Sequence, residues 1–268
     1  MTNDLSARQT EIVSLARFTG RVGVEELAKR YDVSAQTIRK DLNELCDRHI
    51  LTRVHGGAIV SSGVENIAYE ARRFVAAAEK RAIGLAAAAL IPNSSSLFIN
   101  IGTTTEEVAK ALAAHEDLLV ITNNINVAML LYRRPRMEVI VAGGTVRRSD
   151  GGVVGTSASD LIRQFKVDHA VIGASAIEAD GTLLDFDYRE VQVAQAILEN
   201  SRHAILVADS SKLKRSAPVR IAHIGQVQTW VTDDAGDSPV RDVCRERGVA
   251  IVEALPRGVS DEDSEGIG

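Results

Sequence analysis

Short apolar strands that alternate with helices constrain the fold of this 268-residue chain more than any other feature. From residue 67 onward, seven segments of four or five residues are rich in Val, Ile, Leu and Ala, and segments of helical periodicity separate them. Parallel strands need such crossovers. The pattern therefore predicts a mostly parallel α/β sheet with helices on both faces. The predicted strands are 97–101, 118–122, 138–142, 170–174, 204–208, 229–232 and 250–253.

The first sixty residues follow a different pattern, of three helices and a hairpin. Ser6 and Gln9 have the spacing of a capping box that starts the first helix. A second helix fits residues 24–31, and Ser34 can cap a third helix after a three-residue turn. Two strands at 51–54 and 58–60, with a His-Gly-Gly turn between them, complete the predicted unit.

The composition is that of an ordinary globular protein with a sizeable core. Hydrophobic residues make up 45% of the chain and charged residues 25%. The apolar run at 82–91 is half of the ~20 residues that a membrane-spanning helix needs. Residues 1–15 carry charges where a signal peptide has its apolar segment. We therefore expect a cytoplasmic protein.

Charge and cysteine usage narrow the possible partners. Cys46 and Cys244 lie far apart and outside any Cys/His cluster, which predicts reduced thiols and implies no metal or other cofactor. The net charge is −5, but residues 1–60 hold nine basic and eight acidic residues, so the acidity belongs to the rest of the chain. Contacts with a phosphate backbone would therefore come from a local basic patch in residues 1–60.

Polar residues on the third predicted helix have the chemistry of a DNA-recognition surface. A helix-turn-helix places its second helix in the major groove. Glutamine can recognise adenine, arginine can recognise guanine, and hydroxyls at a helix N-terminus can bind phosphate. Any small helical bundle also exposes such residues, so both interpretations stay open at this point. The candidate DNA contacts are Ser34, Gln36, Thr37, Arg39, Lys40 and Asn43, with Arg53 and His55 in the hairpin.

A Gly-Thr-Thr-Thr run lies between the first strand of the larger part and a helix. Free N–H groups at a helix N-terminus favour an anion, and Gly102 permits close approach of a phosphate. A plain threonine-rich cap would give the same run. Polar loops after other strands favour binding, because the strand ends of a parallel sheet meet at one edge. The candidate residues are Gly102, Thr103, Thr104, Thr105, Asn123, Asn124, Gly143, Gly144 and Lys212.

A cluster of three carboxylates and a phenol lies at the start of a later predicted helix. Asp185, Asp187, Tyr188 and Glu190 could bind the hydroxyls of a polyol. Asp187 taken alone could be only a helix cap.

A glycine-rich loop covers residues 150–155. Gly152 could approach the same ligand, or the loop could be a simple turn. The preceding pair, Arg147 and Arg148, is interpreted as a solvated surface pair.

The N-terminal motifs together resemble the winged helix-turn-helix of the DeoR-type bacterial transcriptional regulators. The resemblance covers residues 5–60 and implies that the third helix enters the major groove. Gly23 departs from the Ser or Thr that often caps the second helix there, and we expect only a small effect on stability. The matching motifs are Val33-Ser34-x-Gln36-Thr37-Ile38-Arg39-Lys40-Asp41-Leu42 and Arg53-x-His55-Gly56-Gly57-Ala58.

Residues 75–254 resemble the sensor domain of the same family. That resemblance implies a fold similar to ribose-5-phosphate isomerase and a phosphorylated sugar or polyol as inducer. A subgroup motif implies a repressor of glycerol and glycerol-3-phosphate metabolism genes that glycerol 3-phosphate releases from its operator. Larger inducers, such as fructose 1-phosphate or an amino-sugar phosphate, stay open. The motifs are Phe98-Ile99-x-Ile101-Gly102-Thr103-Thr104, Thr122-Asn123-Asn124 and Phe186-Asp187-Tyr188-x-Glu190-Val191.

An isomerase is the alternative that the implied fold raises. Glu190 could act as a base next to a substrate carbonyl. The isomerases carry an acidic run on the strand before it, whereas residues 173–177 here contain no acid and the first one is Glu178. We therefore predict a phosphate-binding loop retained without catalysis, and no catalytic residues.

The predicted organisation has four segments. They are a winged helix-turn-helix domain at 5–60, a linker at 61–74, a sensor domain at 75–254 and a disordered acidic tail at 255–268. The expected partners are double-stranded operator DNA, a phosphorylated inducer and further copies of the chain in a homodimer or homotetramer, with no membrane.

Overall fold

The computed structural model describes residues 5–19, 21–48, 50–54, 56–60, 69, 72 and 75–255. The chain divides into two compact units, Met1–Val75 and Ala76–Gly268. Most of the predicted linker and the tail after residue 255 lie outside the described residues, so both stay predictions.

Three helices and a three-stranded antiparallel sheet make up the described part of the first unit. Every predicted element is present, and strand β1 is an addition that the sequence pattern did not predict. The sheet order is β1-β3-β2. The elements are α1 (Ala7–Thr19), β1 (Arg21–Gly23), α2 (Val24–Tyr31), α3 (Ala35–Asp47), β2 (Leu51–Val54) and β3 (Gly57–Val60).

Local hydrogen bonds explain where these helices begin. The Gln9 N–H donates to Ser6 Oγ at 3.1 Å while the Ser6 N–H donates to Gln9 Oε1 at 3.0 Å, which is the predicted capping box. Ser34 caps α3 as predicted, because its Oγ accepts from the Thr37 N–H at 3.2 Å. Between α2 and α3, Asp32 turns the chain with a φ of 50°. The starts of α1 and α3 are therefore determined by short-range sequence.

The turn of the hairpin requires glycine where two strands come close. A Cβ at Gly57 would lie 2.0 Å from the Val22 carbonyl oxygen, and no side chain fits in that space. Gly56 has a φ of 76°, and its carbonyl accepts from the Val24 N–H at 2.9 Å. The Gly-Gly pair therefore allows β3 to pack directly against β1.

A seven-stranded sheet forms the centre of the second unit. Its strands are β4 (Ser96–Ile99), β5 (Leu118–Thr122), β6 (Met137–Val141), β9 (Val167–Ile172), β12 (Ser201–Val207), β14 (Thr229–Thr232) and β15 (Ala250–Glu253). Their order is β15-β14-β12-β9-β4-β5-β6, and all neighbouring pairs are parallel. All seven overlap the predicted strands, so the predicted fold class is confirmed.

Helices cover both faces of this sheet. Residues alternate along β4: Phe98 packs into the apolar core beneath α7, α8 and α9, whereas Leu97 and Ile99 pack into the core beneath α4, α5 and α6. This alternation explains why a strand buried on both faces is apolar throughout. The helices are α4 (Ala77–Ala88), α5 (Thr103–Leu112), α6 (Ile125–Leu131), α7 (Thr156–Ile162), α8 (Tyr188–Glu199) and α9 (Pro239–Arg247).

Two small antiparallel sheets supplement the parallel one, and the sequence pattern predicted neither. One pairs β7 (Thr145–Val146) with β8 (Val153–Val154), and the other joins β11 to β10 and β13. The latter strands are β10 (Ala176–Ile177), β11 (Thr182–Asp185) and β13 (Val219–His223). Because β7 follows β6 and β10 follows β9, both sheets begin at the carboxyl edge of the parallel sheet.

The strand order reverses direction beside β4. Strands β5 and β6 lie on one side of it, and β9, β12, β14 and β15 lie on the other. In open α/β sheets the crevice at such a reversal, outside the carboxyl ends of the strands, is the usual place for a ligand. The described residues include no helix of the length and apolarity that crossing a bilayer requires.

Candidate functional site

Helix α3 presents most of the predicted DNA contacts to solvent. One face of the helix is fixed in the core, where Ile38, Leu42 and Leu45 have no exposed surface. The opposite side projects outward from the unit because of the helical repeat. Its exposed side chains are Gln36, Arg39, Lys40, Asn43 and Asp47.

Helix α1 binds two acidic residues beside this surface and neutralises one of them. Arg8 Nε donates to Asp41 Oδ2 at 2.7 Å, and Gln9 Nε2 donates to Glu44 Oε2 at 2.6 Å. The groove along α3 contains five cationic and three acidic side chains, so its balance is positive. Its cationic residues are Arg8, Arg39, Lys40, Arg48 and Arg53.

The other predicted DNA contacts lie at the start of α3 and in the hairpin. Ser34 Oγ lies 2.9 Å from Thr37 Oγ1, so both hydroxyls take part in the cap of α3. Arg53 is exposed on β2. His55 lies outside the described residues, and its proposed contact stays a prediction. Arg39 lies 3.7 Å from Glu25 in a solvent-exposed pair, which contributes little to stability.

The predicted phosphate loop lies at the carboxyl end of β4, beside β9. Gly102 has a φ of 150°, a conformation that favours glycine, and its carbonyl accepts the Glu106 N–H at 3.1 Å. Thr103 and Thr104 begin α5 and are largely buried. Thr105 Oγ1 lies 2.7 Å from the Asn100 carbonyl oxygen, so this hydroxyl closes the turn.

Other strand ends meet this loop. A Cβ at Gly173 would lie 3.9 Å from Ile101 O, Thr105 Cγ2 and Val207 O, which brings the ends of β4, β9 and β12 together. Gly152 packs against the same turn, since a Cβ there would lie 2.5 Å from Ile101 Cδ1. The ends of these strands therefore meet at one edge of the sheet, and the role of their polar residues as a binding site stays a prediction. Gly143 and Gly144, in contrast, are exposed ahead of β7.

Two lysines lie near a buried aspartate at the end of β12. Asp209 caps the 3-10 helix Ser210–Lys214, and its Oδ2 has no hydrogen-bond partner within the described part of the chain. Burial raises the pKa of Asp209, but the charge of Lys212, the bonds from Ser211 and the charge of Lys80 bring it below the ordinary value. Lys80, which is 3% exposed on α4, was not predicted.

The two predicted asparagines hold the loops in place. Asn123 Nδ2 donates to the Val153 carbonyl at 3.1 Å. Asn124 Oδ1 caps α6 by accepting from the Asn126 N–H at 2.9 Å, and its Nδ2 donates to Glu106 Oε1 at 3.2 Å. Both residues therefore have structural contacts, and their effector contacts stay predictions.

Arg147 is not a solvated surface residue, so that interpretation was wrong. Its side chain is 15% exposed because the β7–β8 turn folds it against the start of α8. Its Nη2 lies 2.6 Å from Asp150 Oδ2 and 2.5 Å from Glu190 Oε2, and its Nη1 lies 3.0 Å from Asp187 Oδ2. Arg148 is exposed, as predicted.

The predicted carboxylate cluster is thus an ion-pair network. Asp187 does cap α8, accepting from the Arg189 N–H at 3.0 Å, and it also pairs with Arg147. Asp185 is buried and accepts from the Phe186 N–H at 2.6 Å. Tyr188 is 63% exposed at the start of the helix.

The environment moves the pKa values of this network apart. Burial, together with the charge of Asp185, raises the pKa of Glu190 to about 7 despite the opposing charge of Arg147. Hydrogen bonds from Arg189 and Arg147 lower the pKa of Asp187 to about 2. Burial lowers the pKa of Arg147, but hydrogen bonds and charges from Asp150 and Glu190 raise it above its ordinary value. One carboxylate can therefore exchange a proton near neutral pH while its neighbour stays ionised.

Sequence reasoning missed the residues that connect the site, chiefly Lys80, Glu106, Asn126, Arg147 and Asp150. The three-residue spacing of Arg147 and Asp150 was the available signal, since such spacing suits an ion pair in a turn. The described ranges contain no group of three or more His, Cys, Asp or Glu side chains arranged to hold a metal ion.

Family models match both units. A DeoR-like helix-turn-helix domain matches residues 8–63, and a DeoR C terminal sensor domain matches residues 75–234.

Curated relatives match along most of the chain. The glycerol-3-phosphate regulon repressor of Haemophilus influenzae is 45% identical, over 88% of this chain and 92% of that relative. The protein of the same description from Escherichia coli K12 is also 45% identical, over 84% and 90%. The E. coli HTH-type transcriptional repressor CsqR is 39% identical, over 91% and 94%.

Solved structures give weaker matches. Ribose 5 phosphate isomerase A from Neisseria gonorrhoeae has a TM-score of 0.37 at 14% identity, covering 50% of this chain and 52% of that one. The eIF-2B protein of Pyrococcus horikoshii has a TM-score of 0.42 at 15% identity, covering 89% and 78%. Both scores are low, so the fold assignment rests on the strand order and the family models.

Proposed function

The chain belongs to the DeoR family of transcriptional regulators, and we propose that it is a DNA-binding repressor of glycerol and glycerol-3-phosphate metabolism genes. The observation that carries the proposal is that one chain combines an exposed helix in a groove of positive balance with a second unit whose strand ends meet at one edge of a parallel sheet. The names of the relatives at 45% identity support the choice of regulon.

The DNA-bound form is a homodimer or homotetramer in the cytoplasm. Recognition helices α3 from paired subunits enter successive major grooves of a roughly palindromic operator. Gln36 and Arg39 contact bases, and Lys40 and Asn43 assist them from the same face. Ser34, Thr37, Arg53 and His55 contact the backbone.

The effector is glycerol 3-phosphate, and its two ends have different partners. The phosphate binds at the N-terminus of α5, where Gly102, Thr103 and Thr104 lie, with Lys80 and Lys212 as cationic partners. The hydroxyls bind the carboxylates at the start of α8. Fructose 1-phosphate or an amino-sugar phosphate is the alternative effector.

Effector binding disfavours the operator-bound arrangement. By linkage, the effector weakens DNA binding only as far as it prefers the other state, and about 1–3 kcal/mol of coupling gives roughly 5–150-fold weaker binding. Catalysis is not part of the proposal. Residues 173–177 contain no acid that could act with Glu190, the candidate base, and Glu178 is exposed.

A thermal-shift screen tests the effector. The purified protein is heated with glycerol 3-phosphate, glycerol, inorganic phosphate, fructose 1-phosphate, glucosamine 6-phosphate and ribose 5-phosphate. A ligand at 100 times its Kd adds about 2.7 kcal/mol of stability. Selective stabilisation by glycerol 3-phosphate supports the proposal, selective stabilisation by another phosphosugar replaces the effector, and no response contradicts an effector site for this class.

A charge substitution tests the phosphate end. Thr104→Glu places a negative charge at the N-terminus of α5 and should give a repressor that binds operator but is not released by glycerol 3-phosphate. Thr156→Glu, at the exposed start of α7, is the matched control. Gel-shift titration with and without effector measures both. Normal release of the Thr104→Glu protein would put the phosphate elsewhere.

A further inference from the structure

A continuous chain of polar contacts links the two ends of the proposed effector site. At the phosphate end, Glu106 lies in the first turn of α5 and accepts from Asn126 Nδ2 at 3.0 Å. Asn126 Nδ2 also lies 3.0 Å from the Asp150 carbonyl oxygen. The Asp150 carboxylate then binds Arg147 at 2.9 and 2.6 Å. The phosphate end is therefore connected to Arg147 through one asparagine and one aspartate.

Arg147 continues the chain to the hydroxyl end. It donates to Asp187 Oδ2 at 3.0 Å and to Glu190 Oε2 at 2.5 Å, both in the first turn of α8 or its cap. A planar guanidinium with several donors can hold carboxylates from two segments at once. The positions of Asp187 and Glu190 relative to α5 therefore depend on this side chain.

The arrangement brings acceptors from several segments to one place. Arg189, which is half-exposed, adds a second positive charge at 2.8 Å from Asp187. Each carboxylate has several lone pairs, so one that binds an arginine can also accept from the hydroxyl of a ligand. The carboxylates of the cluster are Asp150, Asp185, Asp187 and Glu190.

We propose that Arg147 is a positioning residue of the effector site, which holds Asp187 and Glu190 for the hydroxyls of a phosphorylated polyol and ties them to the phosphate loop. This inference rests on the proposed function, since it assumes that the effector binds at this edge. It predicts that Arg147 determines preference for a phosphorylated polyol over phosphate itself. Phosphate alone makes no use of the hydroxyl end.

A pH profile separates positioning from general support of the fold. The charged groups around Glu190 are Asp185 on β11, Arg147 and Asp150 in the β7–β8 turn, and Asp187 with Arg189 at the start of α8. Because the charge of Arg147 lowers the pKa of Glu190, its removal moves the titration of Glu190 to higher pH. The pH dependence of polyol-phosphate affinity should move with it.

Calorimetric titration with glycerol 3-phosphate and with inorganic phosphate tests the inference. The proteins are the full-length wild type, Arg147→Lys, Arg147→Met and the control Arg148→Met, each measured from pH 6 to 8. Lysine keeps the charge but cannot reproduce the planar fork. We expect both Arg147 variants to bind glycerol 3-phosphate about tenfold or more weakly, with phosphate affinity unchanged within about twofold. Only Arg147→Met should also move the pH dependence of glycerol 3-phosphate affinity to higher pH. The control should match the wild type.

The possible failures are distinguishable. If the wild type does not bind glycerol 3-phosphate, the proposed function and this inference both fail. If the wild type binds and the Arg147 variants bind equally well, only the role of Arg147 is overturned. Equal losses for both ligands would indicate general structural damage and also overturn it. Should Arg147→Met not fold, as judged by loss of operator binding, Arg147→Lys decides by the same ratio of the two affinities.

Discussion

The two units carry their functional polar residues in opposite ways. In the first, Gln36, Arg39 and Lys40 project into solvent from a helix whose other face is in the core. In the second, a buried Glu190 and a largely covered Arg147 bind each other. Exposed side chains can be changed at little cost to the fold, whereas buried ions depend on their partners. Operator recognition and effector response should therefore differ in how strongly they are coupled to stability.

The largest expected difference comes from removing one arginine in each unit. Arg147→Met removes the cation that Asp150 and Glu190 share, while Asp187 keeps Arg189, and should lower the free energy of unfolding of the second unit by about 3–5 kcal/mol. Arg39→Met removes a pair with Glu25 in which the two side chains are 48% and 82% exposed, and should cost no more than about 1 kcal/mol. Urea denaturation measures both. Equal losses would break the comparison between the units.

The Arg147–Glu190 network should contribute a pH-dependent term to the stability of the second unit. The pKa of folded Glu190 is about 7 against an ordinary 4.5, so between these values the folded protein holds a proton that the unfolded chain releases. This stabilisation is complete below about pH 4.5 and is lost as the pH rises through 7, by on the order of a few kcal/mol. Asp187 has the opposite pH dependence, because its pKa is lowered to about 2 in the folded protein. Its contribution to stability is present at neutral pH and is lost only in acid.

Glu190→Gln tests that dependence. The variant should show a flatter stability profile between pH 5 and 8 than the wild type, in urea denaturation at fixed salt. Glu25→Gln, an exposed carboxylate of the first unit, is the control for loss of one negative charge. An unchanged slope in Glu190→Gln would assign the dependence to another group.

Arg39 tests whether an exposed residue of the first unit affects operator binding without affecting stability. Arg39→Ala should weaken operator binding by about 1–3 kcal/mol and relax base preference while the melting temperature stays close to that of the wild type. Arg30→Ala removes the same charge from α2 and is the control. Gel-shift titration at fixed salt measures both proteins. Equal weakening by the two substitutions would make Arg39 a general charge contact.

The smallest expected effect concerns the cap of α3. Ser34→Ala removes the acceptor for the Thr37 N–H and should cost about 1 kcal/mol. Ser34→Asp keeps the cap but adds a negative charge near the DNA surface. It should retain stability and lose operator affinity. A Ser34→Asp protein with normal affinity would restrict Ser34 to its capping role.

Most of the fold could be predicted because local patterns determine it. The strands of the parallel sheet are apolar on both faces, as Leu97, Phe98 and Ile99 illustrate, and each is long enough to recognise. The capping box of Ser6 and Gln9 fixed the start of α1. Strands β1, β7, β8 and β10 have only two or three residues, too few for any periodicity to appear, and were missed. Strands β11 and β13, of four and five residues, were missed as well.

The candidate site could be predicted only in part. The glycine and threonines after β4 were identified because a strand end followed by a helix start has a recognisable composition. Lys80 was missed, since a single lysine in an alanine-rich helix is usually solvated. Asn123 and Asn124 were expected to face a ligand, and the structure uses their amides to hold Val153 and Glu106.

The sequence by itself determined the starts of α1 and α3, the positions of the seven apolar strands and the exposed face of α3. All of these depend on hydrogen bonds and periodicities within a few residues. Only the tertiary structure decided the state of Arg147, whose partners Asp187 and Glu190 are 40 and 43 residues away in sequence. Burial and Coulomb energy depend on distance in space, so the network became visible only after the β7–β8 turn and α8 were brought together.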